Sequence, residues 1–216
     1  SSTFGQGNAG KITINTGGKL SVLNKGGILS EVRDTGVGNS NGIKIDAGEL
    51  EIANRSSIQT TTKQAKLVKD KGNAGNIDIK TKGNLTISGT ENPTFLQERA
   101  GVALSSINSS TEGQGDAGKI TIDTAGKLSV LNRGGIFSAI DATGVGNSNG
   151  IKIDAGELDI ANQSSIQTPT SQAKLVKDKG NAGDITISTN GNLTIIGTNN
   201  SSDSGVSGIN SSSVGA

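Results

Sequence analysis

Two carboxylates, Asp123 and Asp154, are the residues whose type and spacing come closest to a chemical site. Each directly follows an Ile-x-Ile segment, and they lie 31 residues apart. If the two segments are neighbouring strands, the carboxylates could share a proton or hold Ca²⁺. However, the matching positions of an earlier copy are Asn15 and Asp46, and Lys80 is expected beside Asp123. We therefore predict a surface charge ladder with no catalytic residue, and we keep the pair as a weak candidate metal site.

The elements that position these residues belong to an internal repeat of 108 residues. Residues 1–90 recur at 109–198 without insertion or deletion, and 71 of the 90 aligned positions are identical. A repeat of this kind predicts stacked units instead of independent globules. We interpret 1–216 as one segment of two tandem repeats, 1–108 and 109–216. Because the chain begins within a repeat, we expect it to be a fragment of a longer protein.

Each repeat contains three related segments, in which an Ile-x-Ile pair is followed by Gly-x-Leu-x-Val or Gly-x-Leu-x-Ile. The second Ile of each pair serves as a marker: Ile14, Ile45, Ile79, Ile122, Ile153 and Ile187. Alternating apolar and polar residues predict half-buried strands, here three to five residues long. Three such strands joined by Gly and Asn bends describe one coil of a parallel β-helix. The sequence therefore predicts an all-β fold, a β-solenoid of about six coils.

The composition supports a narrow aliphatic core. The chain has 33 Gly and three Phe, and it lacks Trp, Tyr, His, Cys and Met. The aromatic residues and Met that fill a wide core are nearly absent. With 20 basic and 19 acidic residues, the charge is too balanced for a nucleic-acid footprint. No apolar run is long enough to span a membrane, and no cofactor is expected.

One bend position holds only Asn or Gly. Its residues are Asn24, Asn54, Gly89, Asn132, Asn162 and Gly197. Asn and Gly tolerate positive φ at the least cost, so we predict a left-handed backbone at this bend. We also expect the Asn amides to stack on one another between coils, the alternative being ordinary solvent-facing turn residues.

Outward positions of the predicted strands form charge ladders. Lys19 is expected above Glu49 and Asn84, and the second repeat has Lys127, Glu157 and Asn192 at the same places. Each Lys would then lie one strand spacing from a Glu. A cross-strand ion pair of this kind contributes about 0.2–1 kcal/mol.

The motif Gly-Asn-Ala-Gly-x-Ile-x-Ile at Gly72–Ile79 and Gly180–Ile187, followed by Gly-x-Leu, resembles the repeats of filamentous-haemagglutinin-type exoproteins. This resemblance implies a right-handed parallel β-helix on a bacterial cell surface, exported by two-partner secretion through an outer-membrane pore. It implies a non-enzymatic, adhesive or structural rod that contacts a host or neighbouring cell surface, including its glycans. The alternative is a carbohydrate-active β-helix, such as a polysaccharide lyase or hydrolase, or a glycan-binding module.

Two kinds of excursion from the predicted coils are candidate contact loops. The first kind is basic and covers 63–71 and 171–179, with Lys66, Lys69, Lys71, Lys174, Lys177 and Lys179. The other is 90–103, which carries Phe95 in a bulky apolar tip. The Lys-rich segments could bind anionic glycans or be ordinary solvated loops. The Phe95 segment could recognise a partner or cover the rod as a lid.

Overall fold

A computed structural model describes residues 1–33, 36–63, 72–90, 104–141, 144–171, 180–197 and 206–214. Over these ranges the regular secondary structure is entirely β-strand. No helix among them is long and apolar enough to cross a membrane.

Fifteen strands make up this part of the chain. They are β1 (Ser2–Thr3), β2 (Ile12–Leu23), β3 (Gly27–Val32), β4 (Ile43–Ala53), β5 (Ser57–Thr62), β6 (Ile77–Thr81), β7 (Leu85–Ser88), β8 (Ser106–Thr111), β9 (Ile120–Leu131), β10 (Gly135–Ile140), β11 (Ile151–Ala161), β12 (Ser165–Ser171), β13 (Ile185–Thr189), β14 (Leu193–Ile196) and β15 (Gly208–Val214). We number the repeat units 1 to 6: β2–β3, β4–β5, β6–β8, β9–β10, β11–β12 and β13–β15.

The strands form two parallel sheets. One sheet has seven strands in the order β1-β3-β5-β8-β10-β12-β15. The other has eight strands, and its main path is β13-β11-β9-β6-β4-β2, with β7 and β14 beside it. Every unit thus contributes to both sheets and pairs with the units before and after it. The predicted all-β architecture with parallel strands is confirmed.

The register between units follows the Ile markers. Ile14 pairs with Ile45, which pairs with Ile79, and the series continues through Ile122 to Ile153. The last marker, in β13, pairs with the one in β11. The spacings of 31, 34 and 43 residues therefore differ mainly outside the paired strands, apart from a one-residue bulge where β2 pairs with β4 and β9 with β11.

The predicted strand length of three to five residues is wrong for most units. β2, β4, β9 and β11 each run for 11 or 12 residues through the predicted first bend. The backbone at Gly17 and Gly18 stays extended, and β2 keeps its pairing to β4 by a register shift between Thr16 and Lys19. The separate short strands occur in units 3 and 6, as β6 with β7 and β13 with β14.

Units 3 and 6 also have a third strand that their apolar pattern did not reveal. β8 pairs with β5 and β10, and β15 pairs with β12. Ile107 and Ile209 occupy the inward position that Ile58 occupies in unit 2. Each follows an excursion, so the spacing of the first two segments does not predict their location.

The core is a stack of aliphatic side chains between the two sheets. Its fully buried members include Ile45, Leu50, Ile58, Ile107 and Leu128. The same inward positions recur from unit to unit, so each side chain packs on its equivalents above and below. This arrangement explains how the chain forms a core without Trp, Tyr or Met.

A row of buried hydroxyls adjoins this core in the seven-stranded sheet. Thr60, Ser109, Ser138 and Thr168 have no solvent exposure, and each follows an inward Ile by two residues. Their hydroxyls donate to the carbonyl oxygens of glycines: Thr60 and Ser109 to Gly75, Ser138 to Gly118 and Thr168 to Gly183. Because a carbonyl removed from solvent without a partner is costly, these bonds stabilise the turns that precede β6, β9 and β13.

The predicted Asn bends adopt a left-handed backbone. Asn24, Asn54, Asn132 and Asn162 have φ between 54° and 57°. The residue after each also has positive φ, which the sequence did not predict. The amide of Asn54 donates to Asn24 Oδ1 at 3.1 Å, and that of Asn162 to Asn132 Oδ1 at 2.8 Å. The expected amide stacking is therefore present in both repeats.

Gly89 and Gly197 differ from the Asn positions. Neither has a φ in the left-handed range, so the predicted conformation is wrong at these two bends. At Gly89 the constraint is space, because a Cβ would overlap the carbonyl oxygen of Asn132. At Gly197 no atom lies within 4 Å of a Cβ position.

A second side-chain ladder connects the turns that precede the eight-stranded sheet. Its members are Asn8, Asn39, Asn73, Asp116, Asn147 and Asn181. In the first five of these residues, a side-chain oxygen accepts a hydrogen bond from the backbone N–H of the equivalent residue in the next unit, at 2.8–3.0 Å. The ladder runs through all six units and fixes the turns in the same register as the strands.

Close stacking of these turns predicts that Gly146→Ala is destabilising. Gly146 has φ +157°, and a methyl group there would overlap the carbonyl oxygen of Gly115. Backbone strain of this kind costs about 1–3 kcal/mol, and the overlap adds to it. Gly17→Ala is the matched control, because Gly17 has open space around it and the second repeat has Ala125 there. Its free energy of unfolding should stay within about 1 kcal/mol of the parent chain.

Far-ultraviolet circular dichroism during urea unfolding measures both effects, since the chain has no Trp or Tyr for fluorescence. Equal stability of the two variants would contradict the close approach of neighbouring units.

Candidate functional site

Four charged residues form a row at the end of the seven-stranded sheet. They directly follow the last residues of β3, β5, β8 and β10, in that order: Arg33, Lys63, Glu112 and Asp141. Each backbone N–H donates to the strand of the neighbouring unit, at 2.7–3.0 Å. The row therefore places two cations beside two carboxylates in adjacent strands. We call it the charged row.

One ion pair lies within the charged row, and another joins the row to Glu31. Lys63 Nζ lies 3.0 Å from Glu112 Oε1. Arg33 binds Glu31 through Nε at 3.0 Å and through a terminal nitrogen at 2.9 Å. The guanidinium also lies over the ring of Phe4, 5.5 Å from its centroid, in the range of a cation–π contact.

A cavity of about 280 Å³ opens between the two cations of the row. It is lined by Glu31, Val32, Arg33, Gln59, Thr61 and Lys63. The lining provides hydrogen-bond donors and acceptors, and its charged side chains are of both signs. The exposed ring of Phe4 lies next to Arg33. Such a surface suits a polar ligand with several hydroxyl or carboxylate groups.

The carboxyl group of Asp141 is the most perturbed acid of the described residues. Partial desolvation of the carboxyl group, which disfavours its charged form, raises its pKa above the ordinary value, and the negative charge of Glu112 raises it further. The positive charge of Lys63 acts in the opposite direction. Raised carboxyl pKa values are frequent at functional sites, so the charged row is a candidate functional site.

Asp123 and Asp154 lie opposite each other in adjacent strands, as the spacing predicted. Each carboxylate is already paired with a lysine: Asp123 with Lys80 at 3.1 Å, and Asp154 with Lys152 at 2.8 Å. Within the described ranges, no group of three or more Asp, Glu, His or Cys residues could hold a metal ion. The geometry is that of the expected surface charge ladder.

Lys19 and Lys127 have ion-pair partners other than the predicted ones. Lys19 is opposite Glu49 in the register, but its ammonium pairs with Glu51 at 2.5 Å. In the second repeat Lys127 likewise pairs with Asp159 instead of Glu157. The long lysine side chain reaches the acid two residues further along the neighbouring strand. This pairing raises the pKa of both lysines.

The candidate contact loops lie outside the described residues. This holds for Lys66, Lys69, Lys71, Phe95, Lys174, Lys177 and Lys179. Their role as contact residues stays a prediction.

The charged row was missed because its members come from four different units. A signal for it exists in the comparison of the two repeats. Phe4, Glu31, Arg33 and Lys63 correspond to Glu112, Ala139, Asp141 and Ser171. The core positions of the two repeats are nearly identical, whereas this outward face changes charge and size. The face around the cavity is therefore particular to the first repeat.

Comparisons with known proteins do not identify a relative. No family model, curated protein or solved structure matches the chain.

The raised pKa of Asp141 predicts a specific pH dependence. Because folding raises this pKa, the protonated carboxyl favours the folded state, and stability falls as pH rises through the raised pKa. Asp141→Asn removes this effect, so the variant should gain stability relative to the parent chain as pH rises above the ordinary carboxyl range. Because Asp141 is an exposed residue, solvent screens its charge and we expect a small gain. No His titrates in the same range.

Carbon-13 NMR of the Asp141 carboxyl group measures the pKa directly. Glu112→Gln should lower the titration midpoint, because it removes the second cause of the shift. A midpoint at the ordinary value in the parent chain, or one unmoved by Glu112→Gln, would contradict this description of the row.

Proposed function

We propose that this chain is a rod-like segment of a secreted bacterial surface exoprotein, which spaces and presents adhesive contacts and has no enzymatic activity. In this proposal the two sheets are faces of a right-handed parallel β-helix of six coils. The observation that carries it is the one-to-one register of equivalent residues through all six units. A stack of this kind transmits load along continuous backbone ladders.

The arrangement of the polar groups supports a structural role for most of the surface. Lys19, Lys80 and Lys127 of the eight-stranded sheet pair with acids of neighbouring strands, and the oxygens of the Asn and Asp turn ladder accept from backbone N–H groups. These interactions connect one unit to the next. Most of the outer surface therefore serves to hold the stack together.

The setting on a cell surface rests on the resemblance of the Gly-Asn-Ala-Gly-x-Ile-x-Ile motif to filamentous-haemagglutinin-type repeats. Under this proposal the complete exoprotein is exported by an outer-membrane partner and contacts a host or neighbouring cell. The balanced charge of the chain agrees with a target other than nucleic acid.

The adhesive contact that we favour is a glycan bound at the first-repeat face. We define this face as Glu31, Arg33, Gln59, Thr61 and Lys63. It combines a cavity of about 280 Å³ with donors, acceptors and a neighbouring aromatic ring. These groups match the hydroxyls and carboxylates of an acidic saccharide. Glycan binding at this face is compatible with the rod.

A repeat-exchange variant tests the contact. Glu31→Ala, Arg33→Asp and Lys63→Ser give the first repeat the residues that the second repeat has at these places. On an array of acidic and neutral glycans, the parent chain should bind acidic members in a salt-sensitive way. The exchanged variant should lose at least about tenfold in affinity, because charge-assisted hydrogen bonds are removed.

Added to the exchanged variant, the reciprocal changes Ala139→Glu, Asp141→Arg and Ser171→Lys restore the net charge and composition of the parent chain. This combined variant is the control for net charge, and it should still bind weakly, because the second repeat has Glu112 in place of Phe4 and Pro169 in place of Thr61. If the parent chain binds no glycan, or binds equally after the exchange, the glycan contact is wrong. If it cleaves a polysaccharide and Asp123→Asn with Asp154→Asn abolishes cleavage, the non-enzymatic rod itself is wrong.

A further inference from the structure

Phe137 is an aromatic side chain on the outer face of the seven-stranded sheet. Its neighbours in β10, Ile136 and Ser138, point into the core and have no solvent exposure, whereas Phe137 is only half-buried. The core is built from aliphatic side chains, and the chain has three Phe and no Trp or Tyr. Because this ring is turned away from the core, core packing does not account for it.

The ring of Phe137 lies over the backbone of Gly135. A Cβ at Gly135 would overlap the ring, so glycine leaves the room that the ring occupies. In the first repeat, Leu29 lies over Gly27 in a similar way, with side-chain carbons 3.2–3.4 Å from a Cβ position at that glycine. The glycine seat is thus common to both repeats, whereas the aromatic ring is particular to the second. An aliphatic side chain is sufficient to cover the glycine.

Amide side chains lie on both sides of the ring. In the register of the sheet, Phe137 pairs with Asn108 of β8 and with Gln167 of β12, each about 4.8 Å away along the stack. Among the described residues, the Gln167 amide has no hydrogen-bond partner. Asn108 Nδ2 donates to Ser110 Oγ at 3.3 Å, and Asn108 Oδ1 accepts no hydrogen bond. Donors and acceptors are therefore available at both edges of the ring.

The unpaired oxygen of Asn108 is shielded from solvent in this structure. An acceptor held away from water without a partner is costly, and the terminal torsion of an Asn side chain is soft. The amide can therefore turn towards a hydroxyl group placed above the ring and gain a hydrogen bond.

The charge and the size of this surface select the class of ligand. The residues that flank Gly135 in the neighbouring strands, Ser106 and Ser165, are uncharged, as are the two amides. The acids of the charged row lie four residues further on, just beyond the ends of β8 and β10. One ring with two amides is also much smaller than the roughly 800 Å² that each partner buries in a stable protein interface. These features favour a small, uncharged ligand with hydroxyl groups.

A pyranose ring has the chemistry that this surface would recognise. One face of a pyranose presents C–H groups that the neighbouring oxygens polarise, so that face is apolar with a slight positive charge. The face of an aromatic ring is slightly negative, which favours contact between the two. Hydroxyl groups project from the pyranose edge towards both sides of the aromatic ring, where the two amides lie.

We propose that Phe137, Asn108 and Gln167 form a binding site for an uncharged saccharide, whose pyranose ring stacks on the Phe137 ring. We call this site the Phe137 platform. Its strands β8, β10 and β12 each have a paired strand on both sides. The inference extends the proposed adhesive function to a second site, and it does not require binding at the first-repeat face.

Aromatic NMR signals test the site directly, because the chain has three Phe and no Trp, Tyr or His. The Phe137 signals are identified by their loss in Phe137→Leu. Lactose, cellobiose and maltose are the probes, and at least one of them should shift the Phe137 signals in a saturable way. The affinity should be the same at low and high salt, because no charged group takes part.

Phe137→Leu is also the matched variant for affinity, since Leu29 occupies the equivalent seat in the first repeat. It should unfold at the same urea concentration as the parent chain and bind about two- to tenfold more weakly, the contribution of an aromatic contact. Gln167→Leu retains the size of the side chain and should also weaken binding, because it removes a hydrogen bond. Saturation transfer from the protein to the saccharide measures these affinities without the Phe137 signals.

The proposal is overturned if none of the three probes shifts the Phe137 signals at the highest attainable concentration. It is equally overturned if Phe137→Leu binds as tightly as the parent chain, or if binding falls steeply with salt. Shifts that follow the protein concentration instead of the saccharide would assign this surface to a second copy and contradict the saccharide site. The salt-sensitive binding of acidic glycans and its loss in the repeat-exchange variant are independent of these results, so the first-repeat face is tested separately.

Discussion

The one-to-one register between equivalent residues of successive units is the constraint on which the other features depend. A slip of one residue in a parallel ladder moves every inward side chain to the outer face. Here it would also separate each Asn or Asp oxygen of the turn ladder from the N–H that it accepts, as between Asn73 and Asp116. Strands and turns therefore specify the same register independently. This agreement allows a core of small aliphatic side chains to define a single arrangement without large aromatic residues.

The register also explains why the two repeats agree at inward positions and differ on the outward face of the seven-stranded sheet. Inward positions, turn glycines and ladder amides must match the neighbouring unit, and they are almost unchanged between residues 1–90 and 109–198. The outward face of the seven-stranded sheet has no such requirement. Arg33 and Asp141 occupy equivalent positions there with opposite charges, and the cavity adjoins Arg33. Any activity particular to this chain is best sought where the repeats differ.

Much of the fold could be predicted from the sequence, because its signals are local and periodic. The Ile markers gave the strand pairing, and the Asn bends gave both a left-handed backbone and stacked amides. The strand length could not be predicted in this way, since Gly17 and Gly18 are compatible with either a bend or an extended strand. Pairing with β4 decides between them. Likewise, the reach of the Lys19 side chain selects Glu51 over Glu49.

The candidate site was less predictable than the fold. The charged row joins residues from four units that lie 30, 49 and 29 residues apart along the chain. Those intervals include excursions of different lengths, so no fixed period connects Arg33, Lys63, Glu112 and Asp141. The raised pKa of Asp141 depends on desolvation and on the charge of the neighbouring Glu112, both of which arise only in the assembled sheet. The sequence signal for the charged row was the difference between the two repeats at these positions, and not a motif.

A distance between the first and last units tests the central claim of stacking most directly. Thr13 and Thr186 are exposed, outward-facing residues joined by five successive pairings through Lys44, Asp78, Thr121 and Lys152. Spin labels can be attached at Thr13→Cys and Thr186→Cys without interference, because the chain has no other Cys. In protein diluted with unlabelled chain, electron–electron double resonance should give a single narrow distribution centred near about 24 Å, the length of five strand spacings. A broad distribution, or a centre displaced by more than the reach of the label linkers, would contradict the stacked register.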